Sequence, residues 1–213
     1  MILTGLLGGS FNPAHGGHRA ISLAAMDALG LRDLWWMVSP GNPLKPAAGM
    51  APLPARFASA LRMAEGTAIK VTAIEQELGT RYTDDSLRAL IARFPDRRFV
   101  WLMGADNLAQ FHAWRNWQDI ARLAAIAVIG RPGYDAQALA APAMDWLRRF
   151  VLPAAELRSR TDWSLPTLVL LDLPPDPTSA TAIRAASPNW HESEAYSFTP
   201  QSLCDGVTRR LLR

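Results

Sequence analysis

Ile2-Leu3-Thr4-Gly5-Leu6-Leu7-Gly8-Gly9-Ser10-Phe11-Asn12-Pro13-Ala14-His15-Gly16-Gly17-His18 passes from an apolar run through two glycines to a pair of histidines. The run Ile2–Leu7 is short, apolar and closed by glycine, which suits a strand buried in a parallel sheet. Gly8 and Gly9 directly after it let the backbone turn sharply and approach a ligand closely. From Gly17 to Leu29 the pattern becomes helical, with Ile21, Ala24, Ala25 and Ala28 on one face and Gly30 as the stop.

The same alternation continues outward from this unit. Asp33–Val38 reads as a strand, Pro54–Glu65 as a helix and Ile69–Ile74 as a strand. Asp84–Phe94 reads as a helix, with Leu87, Leu90, Ile91 and Phe94 at helical spacing. Arg98–Met103 is a strand ending at Gly104, and residues 105–122 are two short helices. Ala125–Ile129 is a strand closed by Gly130-Arg131-Pro132-Gly133. Ala136–Phe150 is expected to be helical and Thr167–Leu173 a late strand. A helix from about Ala180 and a C-terminal helix over Pro200–Leu212 finish the chain. Ser39–Pro54 holds five prolines and two glycines and reads as a loop, long enough to be functional or disordered. This order predicts an α/β fold: a Rossmann-like, doubly wound parallel sheet with helices on both faces. It is read as one domain over 1–213, whose C-terminal part, about 178–213, is a small helical subregion. In such sheets ligands bind at the carboxyl ends of the strands, near the switch in strand order.

Composition narrows the class. With 49% hydrophobic and 19% charged residues the chain can bury an ordinary globular core. The formal charge of +3 favours anionic substrates without demanding nucleic acid. Arg97-Arg98, Arg148-Arg149 and Arg209-Arg210 are scattered pairs and form no basic stripe, so no nucleic-acid partner is expected. Cys204 is the one cysteine, so no internal disulfide can form. The N-terminus lacks a basic region before its apolar run and reads as a strand, not a signal peptide. No apolar run reaches the ~18 residues of a membrane helix. The expectation is a soluble cytoplasmic protein with no membrane partner; a homo-oligomer is left open.

His15 and His18 stand three apart at the start of the first helix, so they share one face. A helix N-terminus offers free N–H groups and the positive end of the dipole, and Gly16 and Gly17 leave room for a phosphate beside it. Imidazoles there can donate hydrogen bonds to oxygens that gain charge during phosphoryl or nucleotidyl transfer. A metal site is a second reading of H-x-x-H, without a third ligand at suitable spacing, and two structural histidines are a third.

Gly8–His18 resembles the G-G-[ST]-F-[DN]-P-x-H-x-G-H signature of the nucleotidylyltransferase superfamily, which includes nicotinate-nucleotide, nicotinamide-nucleotide and phosphopantetheine adenylyltransferases. The resemblance implies that Gly8, Gly9, Ser10, Phe11, His15 and His18 bind ATP. It also implies that the two histidines bind its phosphates and stabilise the transition state.

Thr178-Ser179-Ala180-Thr181-Ala182-Ile183-Arg184 follows the last strong strand. A hydroxyl-rich turn entering a helix can cap the helix or hold phosphate, and Arg184 can supply a fixed cation. An ordinary N-cap with a surface arginine is the bland alternative. The segment resembles the I-S-S-T-x-I-R motif of the same superfamily, with Thr178 in place of isoleucine and Ala180 in place of the second serine. Ser179, Thr181 and Arg184 are therefore expected at the ATP site, Arg184 with a catalytic role.

Gly104-Ala105-Asp106-Asn107-Leu108 ends a strand, where an aspartate can accept from ribose hydroxyls. Trp114 and Trp117, at spacing three, can share a face and form an aromatic wall for a flat ring; both could equally be core. G-x-D-x-L, then F-H-x-W-x-x-W, then Arg131-Pro132-Gly133, is similar to the bacterial nicotinate-nucleotide branch. Tyr82-Thr83-Asp84-Asp85-Ser86-Leu87 resembles its Y-T-x-D-T-L segment. The likeness places Tyr82, Thr83, Trp114, Trp117 and Arg131 at the mononucleotide. Lys45 matches the lysine of a P-x-x-P-H-K loop, with Leu44 in place of its histidine. The implied reaction joins ATP and nicotinate mononucleotide, with Mg²⁺ carried by ATP and no dedicated protein metal site. Nicotinamide mononucleotide or phosphopantetheine as acceptor, and a non-catalytic nucleotide-binding module, are the alternatives.

Overall fold

The computed structural model describes residues 1–41, 49–130, 135–159, 163–173, 178–193, 196–199 and 202–212. Six strands form one sheet: β1 (Ile2–Gly9), β2 (Asp33–Val38), β3 (Ile69–Thr72), β4 (Arg97–Gly104), β5 (Ala125–Ile129) and β6 (Leu168–Leu171). The helices between and after them are α1 (Gly16–Leu29), α2 (Leu53–Ala64), α3 (Ile74–Leu78), α4 (Thr83–Arg93), α5 (Ala105–Ala109), α6 (Trp117–Leu123), α7 (Asp135–Leu139), α8 (Met144–Leu147), α9 (Ala154–Ser159) and α10 (Ala180–Ala186). Every neighbouring pair of strands is parallel, in the order β3-β2-β1-β4-β5-β6. The chain thus builds outward from β1 to one edge, then returns to β4 on the other side of β1. The carboxyl ends of β1 and β4 flank that switch point, the place where open α/β sheets bind their ligands. The expected α/β doubly wound sheet is the observed one.

Successive side chains on a strand point to opposite faces, and here both faces are buried. Leu34, Trp36 and Val38 of β2, Val100 and Leu102 of β4 and Ala125, Ala127 and Ile129 of β5 enter one core, closed by α1, α2 and α9. Trp35, Met37, Phe99, Trp101, Met103, Ile126 and Val128 enter the other, closed by α4 to α8.

The amino ends of the strands carry a charge cluster remote from the switch point. Asp33, buried at the start of β2, accepts from Thr4 Oγ1 at 2.8 Å and pairs with Arg97 at 2.9 Å and Lys70 at 2.7 Å. Burial works against ionisation of Asp33, but the Lys70 and Thr4 hydrogen bonds and the Arg97 charge outweigh it and hold the carboxyl below its ordinary value. A depressed carboxyl stabilises the fold above its unfolded pKa of about 3.9, and that contribution is lost as pH falls through the folded value. Asp33→Asn is accordingly expected to lower Tm at neutral pH and to flatten its decline on acidification below about pH 4. Melting curves against pH check this; an unchanged acid limb would contradict it.

Three expectations are corrected. The helix over Ala136–Phe150 is broken into α7, α8 and a 3₁₀ turn at Arg148–Phe150, because Pro142 removes an N–H and disfavours helix at the residue before it. The strand expected to reach Ile74 ends at Thr72, and α3 follows, closed by Gly79 in a left-handed conformation (φ +65°). The C-terminal helix does not form among described residues 202–212, so the end of the expected helical subregion is turn structure. Asp205, buried, accepts from Thr72 Oγ1 (2.8 Å) and Ala73 N (2.9 Å) with one oxygen, and from Val207 N and Thr208 N (both 2.9 Å) with the other. Gly206 N donates to Val71 O at 2.8 Å. An aspartate that satisfies backbone donors in this way competes with helix formation, and the segment instead covers part of the open edge at β3.

Candidate active site

The loop from β1 to α1 lies at the switch point. Gly8 has no room for a side chain, since a Cβ there would come within 2.9 Å of the Trp101 ring, whereas Gly16 faces open space. Phe11 adopts a left-handed backbone (φ +46°), which is uncommon outside glycine. Its ring lies 5.1 Å from Trp36, nearly stacked, and 4.9 Å from His18. His15 is the N-cap of α1 and forms a capping box with His18, and no acidic side chain in the first turn offsets the positive end of the helix. The two imidazole centroids are 3.9 Å apart. His15 N donates to His18 Nδ1 at 3.3 Å. With Nδ1 accepting, the neutral His18 ring carries its proton on Nε2, which becomes the donor.

This loop is braced from beneath by a residue that sequence reading passed over. Arg56, 1% exposed in the second turn of α2, donates to Ala51 O (2.9 Å), Ser10 O (2.7 Å) and Ser39 O (2.8 Å). All three acceptors are carbonyls, and burial pulls the guanidinium below its ordinary pKa. Ser59, one turn on, accepts from Ala14 N at 3.1 Å. Asn12 Nδ2 donates to Gly49 O at 2.8 Å. The only hint in the sequence is an arginine set among small and apolar residues in Ala55-Arg56-Phe57-Ala58.

The second motif comes to the first. Arg184 of α10 donates to Asn12 O at 2.6 Å and to Thr181 Oγ1 at 3.3 Å. Ser179 caps α10, accepting from Ala182 N at 3.0 Å. One cation thereby spans residues far apart in the chain, beside the imidazoles' loop. Gly104 ends β4, the neighbour of β1, and Asp106 sits in the first turn of α5 directly after it.

The third group flanks β4 in the chain, with Tyr82 before it and Trp114 after it. Trp114 packs edge-on against Trp101 (6.4 Å) and Phe111 (5.4 Å). Trp101 therefore touches the space above Gly8 on one side and Trp114 on the other. Trp114 and Trp117 do not share a helical face as expected: Trp114 is extended, Asn116 is left-handed (φ +50°), and α6 begins only at Trp117. The Trp117 ring packs between Phe111 (5.7 Å) and Trp146 (5.5 Å). Tyr82 and Thr83 begin α4, and the Arg115 guanidinium lies 4.0 Å over the Tyr82 ring. Lys45 and Arg131 lie outside the described residues.

A model of the cytidylyltransferase-like family matches residues 6–186, which spans all three groups. A protein of Erythrobacter litoralis, described as a probable nicotinate-nucleotide adenylyltransferase, is 65% identical over 98% of this chain and 94% of its own length. The chain belongs to the nicotinate-nucleotide adenylyltransferase family. A family member of the same description from Parvibaculum lavamentivorans is 51% identical over 84% of this chain and 90% of its own. Among solved structures, the nicotinic acid mononucleotide adenylyltransferase of Plasmodium falciparum complexed with NaAD superposes with a TM-score of 0.66. It is 15% identical and covers 87% of this chain and 83% of its own. At that identity the likeness concerns the fold, and it agrees with the parallel sheet described above.

Proposed function

We propose that the chain transfers the adenylyl group of ATP to the 5′-phosphate of nicotinate mononucleotide, releasing pyrophosphate and forming nicotinate adenine dinucleotide. The observation that carries this reading is Arg184 reaching Asn12 O, which gathers both phosphate motifs at the switch point beside the Trp114 group. An oxygen of the mononucleotide phosphate attacks the α-phosphorus of ATP in line. The bond from that phosphorus to the bridging oxygen breaks, and pyrophosphate leaves with the electron pair. The attacking oxygen is already anionic, so no enzyme nucleophile is needed, and catalysis rests on positioning and charge stabilisation. His18 Nε2–H, His15, the amides at the start of α1 and Arg184 face the phosphate oxygens. Ser179, Thr181, Gly104 and Asp106 complete the ATP side, with Lys45 and Arg131 assigned to the mononucleotide by motif.

Among the described residues no group of three or more His, Cys, Asp or Glu gathers as a metal site. The donors present suit a triphosphate that arrives already carrying Mg²⁺ and its waters, as magnesium commonly does. No helix among the described residues is long and apolar enough to cross a membrane, and this reading places the reaction in the cytoplasm.

Pyrophosphate release with ATP and nicotinate mononucleotide, run beside ATP and nicotinamide mononucleotide, tests the proposal. The acid is expected to be the better acceptor; release only with the amide would overturn the choice. Trp114→Ala removes the aromatic surface proposed to stack on the pyridine ring, an interaction worth roughly 1 kcal/mol or more, so the KM for the mononucleotide should rise about tenfold. If only the KM for ATP rose, the pocket would be wrongly placed.

A further inference from the structure

The start of α4 and the turn that follows Trp114 are joined through one buried carboxylate. Asp84, in the first turn of α4 with its side chain 3% exposed, takes hydrogen bonds from beyond its own helix. Oδ1 accepts from Arg115 Nε at 3.1 Å and from another guanidinium nitrogen at 2.7 Å, and Oδ2 accepts from Asn116 Nδ2 at 2.8 Å. All three of these side-chain donors belong to the two residues directly after Trp114. Arg115 also pairs with Asp85 and lies over the Tyr82 ring, so it grips three neighbouring residues at the head of α4. Asn116 holds a left-handed backbone (φ +50°), a conformation asparagine tolerates better than most side chains. Its bond to Asp84 fixes that turn between the extended Trp114 and the start of α6.

We propose that Asp84 is a positioning residue that sets the separation between the head of α4 and the Trp114 ring, and through it the affinity for the pyridine mononucleotide. The inference rests on the function proposed above, with Trp114 stacking on the pyridine ring and the Tyr82-Thr83 motif at the head of α4 assigned to the same mononucleotide. The physics runs from burial. A surface pair such as Arg115 with Asp85 contributes little by itself. A buried carboxylate stripped of its partners is costly, so the Asp84 cluster resists opening and holds the two elements in one register. Trp114 is then fixed on two sides, by Trp101 and Phe111 through packing and by Asp84 through the Arg115-Asn116 backbone. Hydrogen bonding from Asn116 and Arg115 overcomes the burial of Asp84 and keeps its carboxyl below the ordinary range, so the clip is charged throughout the neutral range. Asp84 touches neither phosphate motif in these contacts, so its influence should fall on one substrate.

The test uses Asp84→Ala, Asp84→Asn, Arg115→Ala, Arg115→Lys and the Asp84→Ala/Arg115→Ala double variant. KM for each substrate and kcat are measured by pyrophosphate release, Tm by melting, and mononucleotide binding by quenching of tryptophan fluorescence. Asp84→Ala and Arg115→Ala should each raise the KM for nicotinate mononucleotide about tenfold, with the KM for ATP and kcat within about twofold of wild type. The double variant should be no worse than the weaker single variant, since both remove one clip. Asp84→Asn, which keeps an acceptor for its partners, should recover part of the loss and carries the test if Asp84→Ala does not fold. The inference is overturned if both KM values rise together, if kcat alone falls, or if the two single effects add. A wild-type protein that turns over normally with variants of unchanged KM overturns this inference alone. Absence of wild-type turnover overturns the functional reading and this inference with it.

Discussion

His18→Ala is expected to lower kcat by about 10²–10³-fold while leaving the fold intact. The ring is held by Phe11 at 4.9 Å and Trp36 at 6.1 Å, and its Nδ1 accepts from His15 N, so its orientation is set by the fold. A donor fixed before the reaction needs no reorganisation as charge develops on the phosphate oxygens, and that preorganisation is lost with the ring. Alanine also removes the Nδ1 acceptor at the helix start, a stability cost of about 1 kcal/mol. The loss of turnover should therefore far exceed the loss of stability. His18→Gln, which returns an N–H donor near the same place, should recover part of the rate. Pyrophosphate release at saturating substrates, with circular dichroism to confirm folding, decides the matter. Turnover within tenfold of wild type in His18→Ala would remove the imidazole from the catalytic step.

Arg56→Met carries the largest expected effect on stability. The methionine keeps the apolar stem but leaves Ser10 O, Ser39 O and Ala51 O without their donors, in a place where water has little access. Losing a charged donor to three carbonyls should cost about 3 kcal/mol or more. For a chain of this length that is a fall in Tm of roughly 6–12 °C. Because Ser10 lies between Gly9 and the histidines, the KM for ATP should also rise in whatever fraction remains folded. Arg56→Lys is not a rescue, since one ammonium cannot reproduce the guanidinium fork toward three separated carbonyls. A Tm within about 2 °C of wild type would show that the loop is held by other contacts.

Much of the candidate site is legible in the sequence. The local chemistry of Gly8–His18 is written in consecutive residues: glycines where the backbone turns closely, and histidines where a helix begins. Trp114, Tyr82 and Thr83 stand out by motif, and the structure joins their segments through Arg115, which lies over the Tyr82 ring and pairs with Asp84. What misled was an assumption of continuity. Spacing three between Trp114 and Trp117 implies a shared face only on an unbroken helix, and the left-handed Asn116 breaks it. The C-terminal residues carry helical spacing, yet Asp205 finds donors on β3, and a distant strand edge is invisible to a local pattern. Arg56 and Asp84 escape a local reading for the same reason, because each acts through distant partners, Ser10 and Ser39 for Arg56 and Arg115 and Asn116 for Asp84.

By itself, the sequence determined the alternation of strands and helices, the glycine turn and helix-start histidines of Gly8–His18, and the resemblance from which the phosphate role and the acceptor are proposed. Those properties depend on neighbours within a turn or two, where spacing and side-chain type are sufficient. Only the tertiary structure decided that β4 returns beside β1, that Arg184 reaches Asn12, that Arg56 underpins the loop and that Asp84 ties α4 to the turn after Trp114. Each of these is a contact between segments brought together by burying both faces of the sheet, a condition that no short stretch of the chain can express.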